Sequence, residues 1–271
     1  MYEIFHNLLK DHDNGVFVFE AFSLCHIVYL LLIIGGIVLA LFLSKGKTQE
    51  QKKKWVDYTV TAALCLYVAD FFLMPFSYGY IDVDKLPFHI CTSMSIMCLL
   101  ARKTKLFAKF KTAFTLMGLV GAMAYVLYPS GVSSADGYSY RVVQTMLYHG
   151  LMIAQGVFAI AFEDIDLKWK NLKYDAFAIL GLTVWAYIGN TFYSGVLTEA
   201  CTCVANCPHT VNVYDHDFNW FFVMHDCFYA IPDTIDVYIA PFIMVFGIFG
   251  LCCLVRLIGL SVLKACNKNK E

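Results

Sequence analysis

Phe17–Leu43 reads FVFEAFSLCHIVYLLLIIGGIVLALFL, and Ser44–Lys54 directly after it reads SKGKTQEQKKK. The first string exceeds the ~20 mostly apolar residues that an α-helix needs to cross a bilayer. The second brings five lysines to one end of that helix. The same alternation runs through the chain. Six further apolar runs follow, at 58–78, 86–100, 112–128, 142–162, 174–196 and 237–263. The third and fourth are at the short end for a crossing. Arg102, Lys103, Lys105, Lys109 and Lys111 follow the third run, Lys168, Lys170 and Lys173 follow the fifth, and Arg256, Lys264, Lys268 and Lys270 end the chain. Of the twenty Lys and Arg residues, just Lys10, Lys85 and Arg141 fall on the opposite side. Cations concentrate in cytoplasmic connections, so seven spans are expected, with the N-terminus outside and the C-terminus cytoplasmic.

The composition agrees with an all-α polytopic bundle forming a single integral membrane domain over residues 1–271. Hydrophobic residues make up 59% of the chain and charged residues 15%, where a soluble domain has about 25% charge. A formal net charge of −1 and the lack of a basic patch interleaved with stacking aromatics exclude nucleic acid as a partner. The first residues have no basic n-region and the first apolar run is too long for a signal-peptide core, so no cleavage is expected. Segment 197–236 lies outside in this reading. It has no Lys or Arg and is dense in aromatics, including Phe218, Trp220, Phe221, Phe222, Phe228 and Tyr229. Such density suits an interfacial or re-entrant helix near 218–229.

With the direction set, depth follows from the ~1.5 Å rise per residue. Asp70 lies about two turns before the second span ends, and His89 and Cys91 within two turns of the start of the third. Gln144 and His149 occupy the first two turns of the fifth, and Asn190 lies about two turns before the sixth ends. Four helices thus bring polar groups to one layer, roughly 5–12 Å below the outer surface. Ionisable groups are costly in hydrocarbon and mark functional interiors, whereas Gln144 and Asn190 read equally well as interhelical hydrogen-bond glue. A thiol and an imidazole at one depth suit a nucleophile and its base, with Asp70, Gln144 or Asn190 to orient the ring or polarise a carbonyl. Cys25, Cys65, Cys98, Cys252, Cys253 and Cys266 read as packing residues.

The strings Leu86-Pro87-Phe88-His89-Ile90-Cys91, Leu127-Tyr128-Pro129, Tyr148-His149-Gly150 and Gly189-Asn190 resemble the YwaF-like bacterial integral membrane proteins. These group with the eukaryotic transmembrane-protein-164 family. The resemblance covers roughly residues 58–263 and is weakest across 197–236. It implies a membrane acyltransferase acting on lysophospholipids, particularly ether-linked ones, through a cysteine and a histidine. His149 matches that histidine. The eukaryotic pattern Asn-Pro-Cys-His places its cysteine at Phe88, and the nearby thiol is Cys91, three residues on. The activity expected is therefore an acyltransferase or transacylase with Cys91 and His149 as the catalytic pair. A phospholipid would be donor and a lysophospholipid acceptor, with no soluble cofactor. A bacterial plasma membrane is the expected location, and no protein partner is implied.

Cys201, Cys203, Cys207 and Cys227 lie in the outer segment beside His209, His216 and His225. Two disulfides are the plainest expectation there. A metal site at Cys201, Cys203, Cys207 and His209 is weaker, since the spacing matches no strong ligand pattern. No Asn-x-Ser/Thr sequon occurs. Two other functions fit the polar layer: a non-enzymatic seven-span transporter or receptor with a polar cavity, and a lipid hydrolase using Thr92 or Ser93 with His149. No internal repeat or matched pair of broken spans supports a transporter, and the inner connections offer a receptor little surface.

Overall fold

Each of the seven apolar runs forms a helix. A computed structural model describes residues 18–78, 85–133, 135–193 and 233–268. The helices are α1 (Leu24–Leu43), α2 (Gln49–Tyr78), α3 (Ile90–Lys103), α4 (Lys111–Leu127), α5 (Tyr140–Ala161), α6 (Leu172–Tyr193) and α7 (Asp233–Lys268). No strand occurs among the described residues, where the β pairing is one isolated bridge between Val18 and Asp136. By length and composition, five segments can cross a bilayer: Leu24–Leu43, Gln49–Leu73, Ala108–Leu127, Tyr140–Ala161 and Tyr238–Cys266. The 14 residues of α3 reach only about 21 Å, short of a hydrocarbon core of ~30 Å.

Several boundaries differ from the apolar runs, each for a local reason. The Ser23 hydroxyl accepts from the His26 N–H and starts α1 there, some residues inside the apolar run. The lysine-rich turn before residue 58 is already helical, so α2 begins at Gln49. Residues 86–89 lie before α3, because the Thr92 and Ser93 hydroxyls fold back onto the carbonyls of His89 and Pro87. Glu163 ends α5 in the left-handed region, with φ 53°. The Glu163 N–H reaches the Ile160 carbonyl and the Asp164 N–H the Ala159 carbonyl, the two bonds of a Schellman cap. Residues 194–232 fall outside the described set. With them go Cys201, Cys203, Cys207, His209 and Cys227, the expected disulfides or metal site, and the aromatic segment at 218–229.

The helices run alternately up and down, and the polar contacts sort into two ends. At the lysine-rich end, Arg102 pairs with Asp57 (2.5 Å) and Asp164 (2.6 Å), and Lys111 joins Asp164 at 3.2 Å. Burial pushes the Asp164 carboxyl up, but Arg102 and Lys111 outweigh it and hold the group below the usual carboxylate range. One carboxylate thus ties α3 and α4 to the turn after α5. At the opposite end the 129–139 loop is stapled onto α1: Tyr29 donates to the Gly137 carbonyl (2.8 Å) and the Phe19 N–H to Ala135 (2.8 Å). His26 is fully buried there, its Nδ1 accepting from Phe22 N–H and its Nε2 bonding the Val126 carbonyl. Both ring nitrogens are used, which makes His26 structural.

Helices α4 and α5 form the centre, and α5 packs on α1, α2, α4 and α7. Gly156 permits the closest approach: a Cβ there would lie 2.7 Å from Leu119 Cβ. Small residues at helix crossings let backbones approach and gain dispersion contacts, the main cohesive force inside a bilayer. Helices α1 and α7 instead turn apolar side chains outward; Leu31 is 62% exposed and Phe246 68%. Such faces suit acyl chains rather than water.

Arg256, counted by sequence among the cations ending the chain, is fully buried inside α7. Its Nη2 pairs with Asp175 of α6 at 2.5 Å and its Nη1 donates to the Lys168 carbonyl. It therefore clamps α6 and α7 together rather than meeting a lipid headgroup.

Candidate functional site

The loop 85–89 and the first turn of α3 form the floor of the site. The Pro87 carbonyl accepts from both Ser93 Oγ (2.6 Å) and Trp185 Nε1 (2.7 Å), so the loop is held by its own helix and by α6. Phe88, where the eukaryotic pattern has its cysteine, stacks on Trp185 with ring centroids 4.8 Å apart. Beneath it Gly189 leaves no room; a Cβ there would lie 2.4 Å from the Phe88 ring. Phe88 is thus a packing residue, wedged between two residues of α6. Gly189→Ala is expected to destabilise the fold by about 1–3 kcal/mol, the usual cost of overpacking. That exceeds the ~1 kcal/mol which alanine gains over glycine in a helix. Thermal unfolding measures it, and a second change, Phe88→Leu, is expected to restore most of the loss.

Cys91 sits two residues into α3, buried and unpaired with any other cysteine. His89 is the N-cap but its side chain does not cap the helix. Among the described residues no acceptor meets the backbone N–H groups of Ile90, Cys91 and Thr92. The thiol therefore stands beside donors aimed along a helix N-terminus, where negative charge is stabilised.

His149 is buried on α5, and its Nδ1 lies 2.8 Å from the Thr145 carbonyl one turn back. A carbonyl can only accept, so Nδ1 carries the proton and Nε2 is left as the basic nitrogen. No protein group among the described residues occupies Nε2, in contrast to His26. Tyr125 of α4 lies flat on the imidazole, with centroids 4.1 Å apart and planes at 6°, and Tyr148 meets its edge at 4.9 Å.

No hydrogen bond joins the Cys91 thiol and the His149 imidazole; Tyr148 touches the backbone of the first residue and the ring of the second. Its hydroxyl donates to the Cys91 carbonyl (3.0 Å) and shares a 2.5 Å bond with Ser95 Oγ, while its ring contacts His149. Tyr125 and Tyr148 thus both pack on the imidazole, and Tyr148 also holds the backbone that carries the thiol.

The other polar residues distribute around this centre. Asp70 is buried, pairs with Lys85 (3.3 Å) and accepts from Tyr140 (3.1 Å). Gln144 is buried and accepts a 3.3 Å bond from Thr145, the residue whose carbonyl orients His149. Asn190 is fully buried next to Gly189, on the α6 side of the Phe88 loop. Sequence reasoning missed Tyr125, Ser95 and Lys85. Aromatic and hydroxyl residues are common in spans, and nothing in their spacing separates them from packing. Among the described residues no group of three or more His, Cys, Asp or Glu could hold a metal.

Apolar outward faces, helices of bilayer length and a buried polar centre define an integral membrane protein of the helical, polytopic class. A model of the TMEM164 family matches residues 21–259, and the chain belongs to that family. Comparison with curated proteins and with solved structures gives no match.

Proposed function

We propose that this chain is a membrane-embedded acyltransferase or transacylase that moves an acyl chain between phospholipid and lysophospholipid, using Cys91 and His149. The observation that carries this reading is a buried thiol at a helix N-terminus without a side-chain cap, joined by way of its own backbone and Tyr148 to a histidine whose Nε2 is left as the basic nitrogen. The topology that accompanies it is seven spans in a bacterial plasma membrane, N-terminus outside, so that the site opens toward the outer leaflet.

In this reaction the Cys91 sulfur attacks the ester carbonyl of a donor phospholipid. The thiol proton leaves with the departing lysolipid alkoxide, and the acyl group remains as a thioester. The free N–H groups at the start of α3 suit the oxyanion that forms at each tetrahedral stage. The acceptor's hydroxyl then gives its proton to His149 Nε2 and attacks the thioester, and the thiolate recovers that proton from the imidazolium. Coenzyme A thioesters are cytosolic, so a phospholipid in the same leaflet is the accessible donor. Catalytic hydrogen bonds absent without substrate commonly form only once it binds, which accommodates a thiol and imidazole that are not in contact.

The hydrolase alternative is less well supported. The hydroxyls of Thr92 and Ser93 donate to backbone carbonyls of the 86–89 loop and not to His149. Cys91→Ala and Cys91→Ser are both expected to abolish acyl transfer between labelled phospholipid and lysophospholipid. An acyl adduct on Cys91, labile to hydroxylamine, is expected by mass spectrometry of the wild type. Full turnover by Cys91→Ala would remove the thioester mechanism.

A further inference from the structure

Two connections at the lysine-rich end are built as one unit. Thr112 Oγ1 donates to the Asp166 carbonyl (3.3 Å) and accepts from the Asp166 N–H (3.2 Å), which joins the start of α4 to the α5–α6 turn. The Phe110 ring meets Tyr174 edge-on with centroids 5.4 Å apart, and Lys111 reaches Asp164 at 3.2 Å. From α7, Arg256 donates to the Lys168 carbonyl, and Gly259 lies so close to Leu167 that a Cβ there would sit 2.8 Å from it. Packing therefore sets which side chains this unit turns outward.

The outward surface is basic and apolar together. Residues 102–111 read RKTKLFAKFK, with five cations and no carboxylate. Asp164 engages Arg102 and Lys111, whereas Lys103, Lys105 and Lys109 are exposed. Among these lysines Leu106 is 76% exposed. On the adjoining turn Trp169 is 48% exposed, between the exposed Lys168 and Lys170. The acids of the unit on that surface are Glu163 and Asp166, and the Asp166 carboxylate accepts from the Lys168 N–H.

Position points to the partner. Helix α4 begins and α5 ends at this unit, and both are of bilayer length, so its side chains stand at headgroup level. Tryptophan and leucine at that depth enter the interface, while lysines beside them reach lipid phosphates. A soluble anion would use the lysines alone and gain nothing from Leu106 and Trp169.

We propose that the joined α3–α4 and α5–α6 turns bind anionic phospholipid of the leaflet they face. The lysines of both turns take the headgroups, and Leu106 and Trp169 seat among the lipids at the base of those headgroups. This goes beyond acyl transfer and requires no chemistry at Cys91 or His149.

Lipid retention tests it. The full-length chain in a neutral detergent is mixed with equal amounts of dioleoylphosphatidylglycerol and dioleoylphosphatidylcholine, and bound lipid is counted by native mass spectrometry. The wild type is expected to retain at least about fivefold more of the anionic lipid, the factor that one lysine contributes at a charged membrane surface. Lys105→Gln combined with Lys109→Gln is expected to lose most of that preference, and Lys105→Arg with Lys109→Arg to keep it. Trp169→Ala is expected to retain less phosphatidylglycerol than the wild type. Lys45→Gln with Lys47→Gln removes the same charge from the α1–α2 connection and is expected to leave the preference in place. Thermal unfolding in lipid-free detergent checks the fold of each variant. Equal retention of both lipids by the wild type overturns the proposal, as does a preference that survives the Lys105 and Lys109 glutamines or retention undiminished in Trp169→Ala. A preference lost equally in the Lys45 and Lys47 variant also overturns it, since net charge would then replace a site. Displacement of the bound lipid by equimolar glycerol 3-phosphate overturns the lipid source in favour of a soluble phosphate.

Discussion

His149→Ala is expected to reduce acyl transfer by roughly 10²–10⁴-fold, the range of general-base contributions, while the protein still folds. The argument starts with the ring's tautomer. The Thr145 carbonyl accepts a hydrogen bond from Nδ1–H, so the lone pair sits on Nε2, and the Tyr125 ring lies flat against the imidazole. Alanine removes the base without disturbing Cys91, which lies on another helix. Losing the stack costs on the order of 1 kcal/mol, small beside the kinetic effect, and thermal unfolding separates the two. The decisive measurement is the phospholipid acyl distribution of cells expressing wild type against His149→Ala. An identical distribution would remove the enzyme reading altogether. Tyr125→Phe supplies the complementary control: it keeps the ring stack and is expected to retain most activity.

Arg256→Met is expected to destabilise the protein by about 3–5 kcal/mol, because it strands the Asp175 carboxylate without its partner. Both side chains are essentially excluded from solvent, and the pair is only partly satisfied; Asp175 Oδ1 and Arg256 Nε have no hydrogen-bond partner among the described residues. A buried pair of this kind contributes little net stability compared with an apolar pair of similar volume, yet removing one member is expensive. The double variant Arg256→Met with Asp175→Leu is therefore expected to recover most of the loss, and thermal unfolding of the purified protein reads both. A melting temperature unchanged in Arg256→Met would show that the clamp between α6 and α7 is not needed for the fold.

The helical content and the two polar ends were legible in the chain because both follow from composition along it. Lysines collect after alternate apolar runs, and the contacts of Asp164 with Arg102 and Lys111 occur at the end where those lysines collect. His149 stood out because a buried imidazole is rare. The Cys91 environment was much less readable. Tyr148 was visible only as a neighbour of His149, and its hydroxyl contact with the Cys91 carbonyl spans 57 positions. Phe88 showed as a departure from a pattern, but its wedging against Gly189 depends on how α6 is rotated. Arg256 looked like a chain-end cation, and its burial depends on Asp175 facing it from the neighbouring helix.

Hydrophobicity and charge act residue by residue, so the order of residues alone set which segments prefer lipid and how their cations divide between the two ends. Rotation of each helix about its axis is different in kind. It is chosen by side chains from other segments competing for the same contacts, and close packing permits few solutions. Tertiary structure alone therefore decided that Tyr125 covers His149, that the Tyr148 hydroxyl reaches the Cys91 carbonyl, and that Asp175 meets Arg256.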